Sequence, residues 1–206
     1  MTGRENTDIM KKAVSSILIA AALVVAGQQA VMAVAPQSVK EIKKEGKAKL
    51  KELKKADWEV FGSARTLDAG IEAHYDRIAE GAVGVVGTAG GFQSKNVGHQ
   101  LAVNDACSAF AEGAAKTLKA KMGASGKEVD EFIDAYMRFV EKEVKSRMQE
   151  SFSVIRPSGN GTYEMQAYFT IPAASASSTR VSALNAAAKE SPAAKAFAET
   201  AAPLVK

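Results

Sequence analysis

Between residues 127 and 171 one repeating pattern gives way directly to another, and this constrains the fold more than any other stretch of the chain. Val129, Phe132, Ile133, Tyr136, Met137, Val140, Val144 and Met148 recur at three and four residues, the period of a helix with one apolar face. The spacing predicts a helix over residues 127–150. Residues 151–171 then alternate with a period of two on both sides of Pro157-Ser158-Gly159-Asn160-Gly161, which is hairpin chemistry. Tyr163, Met165, Ala167, Phe169 and Ile171 share one face of the second strand, and Thr162, Glu164, Gln166, Tyr168 and Thr170 share the other.

The preceding segments supply the neighbours. Ser94 or Asn96 opens a helix to about residue 122, rich in alanine, with Val103, Cys107, Phe110, Ala114 and Leu118 as its buried stripe. Its small residues let it lie close to a partner. The turn at 123–126 folds it back antiparallel to the helix that follows. Upstream, 58–64 reads as a short strand, and Thr66 or Asp68 caps a helix to about residue 80, with Leu67, Ile71, Tyr75 and Ile78 on one face. Residues 81–91 read as a glycine-rich strand, where glycine signals close backbone approach or a bulge. Pro172 ends the last strand. A final helix is expected over 178–189, and residues 191–206 form a partly helical, loosely packed tail. The fold class expected is α+β: a long antiparallel helix hairpin on a small, mainly antiparallel sheet of about four strands, in one domain spanning 57–190.

The N-terminus has a different organisation. Lys11 and Lys12 precede an apolar run over residues 17–26, and Val31-Met32-Ala33 places small residues where a signal peptidase cuts. Residues 1–33 are expected to be a signal peptide cleaved between Ala33 and Val34; the nine residues before Met10 look extraneous to it, which leaves both Met1 and Met10 as candidate starts. The run is shorter than the roughly 20 apolar residues a spanning helix needs. No transmembrane helix is expected in the mature protein, which should be periplasmic, outer-membrane-associated or extracellular. Residues 34–56 read as a lysine-rich tether that becomes helical toward Leu50, with Val39, Ile42, Leu50 and Leu53 as a thin apolar stripe. Eight lysines against three glutamates over residues 40–55 give it a net charge of +5, while the whole chain carries +4. The tether is either a patch for anionic lipid headgroups or cell-wall polymers, or a solvated linker; the linker is favoured. The rest of the chain is near neutrality, which argues against a nucleic-acid partner.

Catalytic patterns are not found. Glycines 81, 84, 87 and 90 recur every third residue but match neither phosphate-loop pattern. His74 points away from Glu72 and Asp76 on a regular helix. His99 and Cys107 could align two turns apart, which leaves a zinc site two ligands short. Cys107 is the single cysteine, so no intramolecular disulfide forms, and its alanine-rich surroundings favour burial. No serine lies in a nucleophile-elbow sequence. No catalytic residue, cofactor or metal site is expected. Trp58, Tyr163 and Tyr168 are the candidate ligand or partner contacts.

The stretches FGSARTLDAGIEAHY, VVGTAGGFQSKNVGHQLAVNDACSAFAE and VEKEVKSRMQESFSVIRPSGNGTYEMQAYFTI resemble a family of uncharacterised exported proteins of Gram-negative anaerobes. The alanine-rich helix and hairpin are more distantly similar to the twenty-kilodalton outer-membrane lipoprotein family and to the N-terminal domain of a flagellar assembly protein. The resemblance spans residues 57–190. It implies an envelope-associated α+β domain and brings no catalytic residue with it. The lipoproteins' lipidated cysteine has no counterpart here. The leading expectation is a non-enzymatic structural or interaction module whose partner is an envelope protein or a cell-wall or outer-membrane component. The alternative is a small-ligand or polysaccharide binder using the hairpin aromatics and the glycine-rich strand, and a hydrolase is third.

Overall fold

The computed structural model describes residues 38–205. The signal peptide, Met10, the Ala33–Val34 junction and residues 34–37 lie outside the described residues. The elements run α1 (Val39–Lys55), β1 (Glu59–Phe61), α2 (Leu67–Ala79), β2 (Val83–Phe92), α3 (Lys95–Met122), α4 (Lys127–Val144), β3 (Gln149–Gly159), β4 (Thr162–Ile171), α5 (Ala173–Ala187) and α6 (Pro192–Ala201). The strands form one sheet in the order β1-β3-β4-β2, antiparallel at every pairing. The protein is therefore α+β, with the helix hairpin and four-stranded sheet read from the sequence.

Asn160 and Gly161 make the hairpin turn with φ of 51° and 73°. Two successive left-handed residues define the turn whose twist matches the strands it joins, and Asn-Gly is the pair that adopts it most readily.

One sheet face carries the main core. Val85, Ile155, Met165, Ala167, Phe169 and Ile171 meet Phe110 and Leu118 of α3 and Phe132 and Tyr136 of α4. Burying a side chain of this size stabilises by about 1.5–3 kcal/mol. Helix α3 lies almost on the backbone of β2: a Cβ added to Gly87 would collide with the Ala102 carbonyl oxygen. Gly87 of β2 and Ala102 and Ala106 of α3 thus serve the same close approach. The outer edge of β2 is closed by Asp105 of α3, whose Oδ2 accepts from the Thr88 backbone N–H at 2.7 Å and the Thr88 hydroxyl at 3.0 Å.

The opposite face is also covered. Phe152, Val154 and Tyr168 pack with Ile71 of α2, Leu53 of α1 and Trp58. The molecule therefore has three layers. Helix α1 corrects the expectation of a lysine-rich tether. It begins at a capping box in which Ser38 Oγ accepts from the Glu41 N–H at 3.3 Å and Glu41 Oε2 accepts from the Ser38 N–H at 2.8 Å. Its Ile42, Gly46 and Leu53 are buried. Gly46 lets the Tyr75 ring of α2 approach, since a Cβ there would stand 2.8 Å from the ring.

Other boundaries move too. The amphipathic helix ends at Val144 rather than residue 150, and β3 starts at Gln149. Strand β1 covers only Glu59–Phe61, and α5 begins at Ala173, directly after Pro172. The C-terminal segment is not loosely packed: Ala194, Ala198, Ala201 and Val205 are buried in the main core.

Candidate functional site

A local irregularity in β3 organises the most polar concavity of the sheet. Glu150 pairs with Phe169 but Phe152 pairs with Tyr168, so Ser151 is an extra residue in the strand. Such a bulge redirects side chains on either side of it. Glu150 turns toward α3, where its Oε2 accepts from His99 Nε2 at 3.0 Å and its Oε1 accepts from Ser153 Oγ at 2.6 Å. Ser151 turns the other way, toward α2, and its Oγ lies 3.0 Å from His74 Nδ1. Strand β1 pairs only with residues 153–155, so the bulged end of β3 extends past it.

The space left there is a cleft of about 440 Å³, bordered by Phe61, Arg65, Arg77, His99, Glu150 and Ser151. Its charges are unbalanced. Glu150 is already engaged by His99 and Ser153, and among the described residues neither Arg65 nor Arg77 has a carboxylate partner. Arg77 Nη1 is buried and has no hydrogen-bond partner among the described residues. Buried polar groups are nearly always paired, and an unpaired one costs about 1–3 kcal/mol, more when charged.

His74 is 2 % exposed. Burial, followed by the nearby Arg77 charge, pushes its pKa down to about 4. The imidazole is therefore neutral near pH 7. It forms a hydrogen-bonded pair with Ser151 and stands edge-on to the rings of Tyr75, Phe152 and Tyr168 at 5.3, 6.1 and 5.5 Å. In the group formed by His99, Glu150 and Ser153 the bridging member is the carboxylate of Glu150. In a serine hydrolase the imidazole takes that place between hydroxyl and acid.

The candidate contacts read from the sequence fare differently. Tyr168 is 1 % exposed and stacks on Phe152 at 4.3 Å, its hydroxyl donating to Gln166 Oε1 at 2.6 Å. Trp58 is 8 % exposed and lies under the Arg156 guanidinium at 4.7 Å. Both are core residues, because the second sheet face that carries them is covered by α1 and α2; neither can stack on a sugar in this state. Tyr163 is half-buried between Phe92 and the Lys95 ammonium. Trp58 and Tyr168 share one buried cluster, and Tyr163 lies apart from them against the main core. Cys107 is buried, and burial raises its thiol pKa, the opposite of an activated nucleophile. Among the described residues no group of three or more His, Cys, Asp or Glu could hold a metal ion, and no helix is long and apolar enough to cross a membrane.

These features define an α+β domain with a sheet shielded on both faces and a cationic cleft at a bulged sheet edge. No protein-family model matches the chain, and comparison with curated proteins and with solved structures found no match.

The sequence reading missed Arg77, Glu150, Ser151 and Ser153. Arg77 carried a faint signal, a cation one turn after His74 on the same helix. The bulge carried none, because it falls where the expected helix to residue 150 meets the expected strand from residue 151, and a period of two cannot be read across that junction.

Proposed function

We propose that this protein is an exported, non-enzymatic binding module of the cell envelope, and that its cleft takes up an acidic group of a ligand or partner: a carboxylate, phosphate or sulfate. The observation that carries the proposal is the buried, unpartnered Nη1 of Arg77 in a cleft whose own carboxylate is committed elsewhere. An oxyanion there would accept from Arg77 and from Ser151, and Arg65 would add long-range attraction. An acidic sugar unit of a wall or outer-membrane polymer, or a carboxylate side chain of an envelope protein, has this chemistry. Export is supported by the order of Lys11-Lys12, the apolar run over 17–26 and the small residues at Val31 and Ala33. The resemblance to exported envelope families points the same way.

The chain has two histidines, one in contact with each half of the cleft. Their imidazole NMR signals should shift saturably when phosphate, acetate or galacturonate is added, and the pKa of His74 should rise as the Arg77 charge is neutralised. Arg77→Gln should abolish both effects. Imidazole signals that ignore all three anions, or respond equally in Arg77→Gln, would remove the cleft from consideration. Export is tested separately: protein recovered from its host should begin at Val34, and a cytosolic form retaining Lys11 through Ala33 would refute it.

A further inference from the structure

Helix α1 carries a second feature, which the cleft does not use. Its lysines fall into two groups. Lys43 and Lys54 reach down to α2, forming ion pairs with Asp76 at 3.2 Å and Asp68 at 2.8 Å, and Lys49 pairs with Glu52 at 2.9 Å. The other five, Lys40, Lys44, Lys47, Lys51 and Lys55, are exposed and make no ion pair among the described residues. Their spacings of four, three, four and four residues gather them within about 80° of the helix circumference. Ile42, Gly46 and Leu53, the buried residues of α1, lie on the opposite side. The five ammonium groups therefore form a straight row about 22 Å long. The glutamates of the helix, Glu41, Glu45 and Glu52, occupy a separate flank and leave the row uncompensated.

This arrangement is not that of a solvated linker. The helix starts at the Ser38–Glu41 capping box and packs on α2 through Gly46 against the Tyr75 ring, Leu53 in the cluster of Ile71, and the two ion pairs, so the five lysines project from a fixed helical backbone. It forms the outer surface of the layer over the second sheet face. We propose that the row is a docking ridge for an anionic lipid bilayer. A straight, exposed row lets a plane of headgroups meet all five charges together. The absence of apolar side chains among them means electrostatic adsorption without insertion. A nucleic-acid interface would be expected to interleave arginine or aromatic side chains, and the row holds neither.

The test uses the full chain in sedimentation with vesicles of phosphatidylcholine, with and without phosphatidylglycerol. Any contribution of the apolar N-terminal run is the same in every variant compared. The anionic vesicles should bind the protein more tightly than the neutral ones, and the difference should vanish between ~0.1 M and ~1 M salt, as the screening length drops from ~10 to ~3 Å. Each ridge lysine removed should weaken anionic-vesicle binding about fivefold, so Lys44→Gln, Lys47→Gln and Lys51→Gln together should weaken it about a hundredfold. The matched triple variant Lys142→Gln, Lys189→Gln and Lys195→Gln removes the same charge elsewhere and should change binding less than about twofold. Equal binding to neutral vesicles, equal loss in both triple variants, or no loss in the ridge variant would overturn the proposal. Tighter, ridge-dependent binding to duplex DNA than to anionic vesicles would overturn it in favour of a nucleic-acid surface.

Discussion

Mild acid should destabilise this protein through His74 before most of its carboxylates titrate. The side chain is 2 % exposed among three aromatic rings, and burial together with Arg77 holds its pKa at about 4 against an ordinary 6.5. In the unfolded chain the imidazole returns to its ordinary value. Between pH 6.5 and about 4 the unfolded state therefore binds a proton that the folded state does not. The stability contributed by neutral His74 is complete above pH 6.5, declines as pH falls through this window and is lost below about 4. A gap of about 2.5 pKa units at about 1.4 kcal/mol each amounts to about 3 kcal/mol. That is a large fraction of the roughly 5–15 kcal/mol typical of a domain. Urea unfolding across this pH window, in wild type and in His74→Gln, isolates the contribution. The variant starts less stable, because Ser151 and the ring contacts lose their partner, but its stability should fall less steeply with acid. Parallel slopes for the two proteins, or an NMR titration that places His74 near 6.5, would refute the reasoning.

Three other substitutions probe the packing. Gly87→Ala should cost about 3 kcal/mol, the upper end for overpacking, because the new methyl meets the Ala102 carbonyl oxygen and stands 2.7 Å from the Ala106 nitrogen, and backbone atoms cannot rotate aside. Gly84→Ala meets the flexible end of Ile78 and should cost less, so equal losses in urea unfolding would contradict the close-contact account. The Tyr136 hydroxyl is buried without a partner among the described residues. Tyr136→Phe should therefore be neutral or stabilising by up to about 1 kcal/mol, and a clear loss in chemical denaturation would mean the hydroxyl is satisfied.

What the sequence made legible was periodic. The stripe on α4, the Asn160-Gly161 turn and the alternation along β4 each repeat with the period of the element they form, and each was placed near its observed position. Errors arose where burial used small residues. Helix α5 starts five residues before the expected start because Ala176, Thr179, Ala183 and Ala187 are buried, and small side chains leave little hydrophobic signal. Over α1 eight lysines outweigh a thin apolar stripe, so the sequence suggests helix only toward Leu50, although Ser38-x-x-Glu41 is the signature of a helix start at Val39. The same error hid the second sheet face. With α1 read as solvated, nothing stood over Tyr168 and Trp58, and they looked free to bind.

The covering of both faces also explains where a ligand can reach the sheet. With helices above and below, access remains only at the edges. The β2 edge lies against α3, and its Thr88 amide is occupied by Asp105. The β1 edge is three residues long and ends opposite Ser153, while β3 continues past it. At that overhang the extra residue Ser151 divides the strand's polar groups, sending Glu150 to α3 and Ser151 to α2. Helix α2 then brings Arg77 to the gap one turn after His74. A regular strand would have put Glu150 and Phe152 on the same face, against the aromatic cluster of α2, and separated Glu150 from His99. The bulge therefore serves two ends: it keeps a carboxylate out of the aromatic cluster of α2, and it commits the Glu150 oxygens to His99 and Ser153 rather than to the arginines of the cleft.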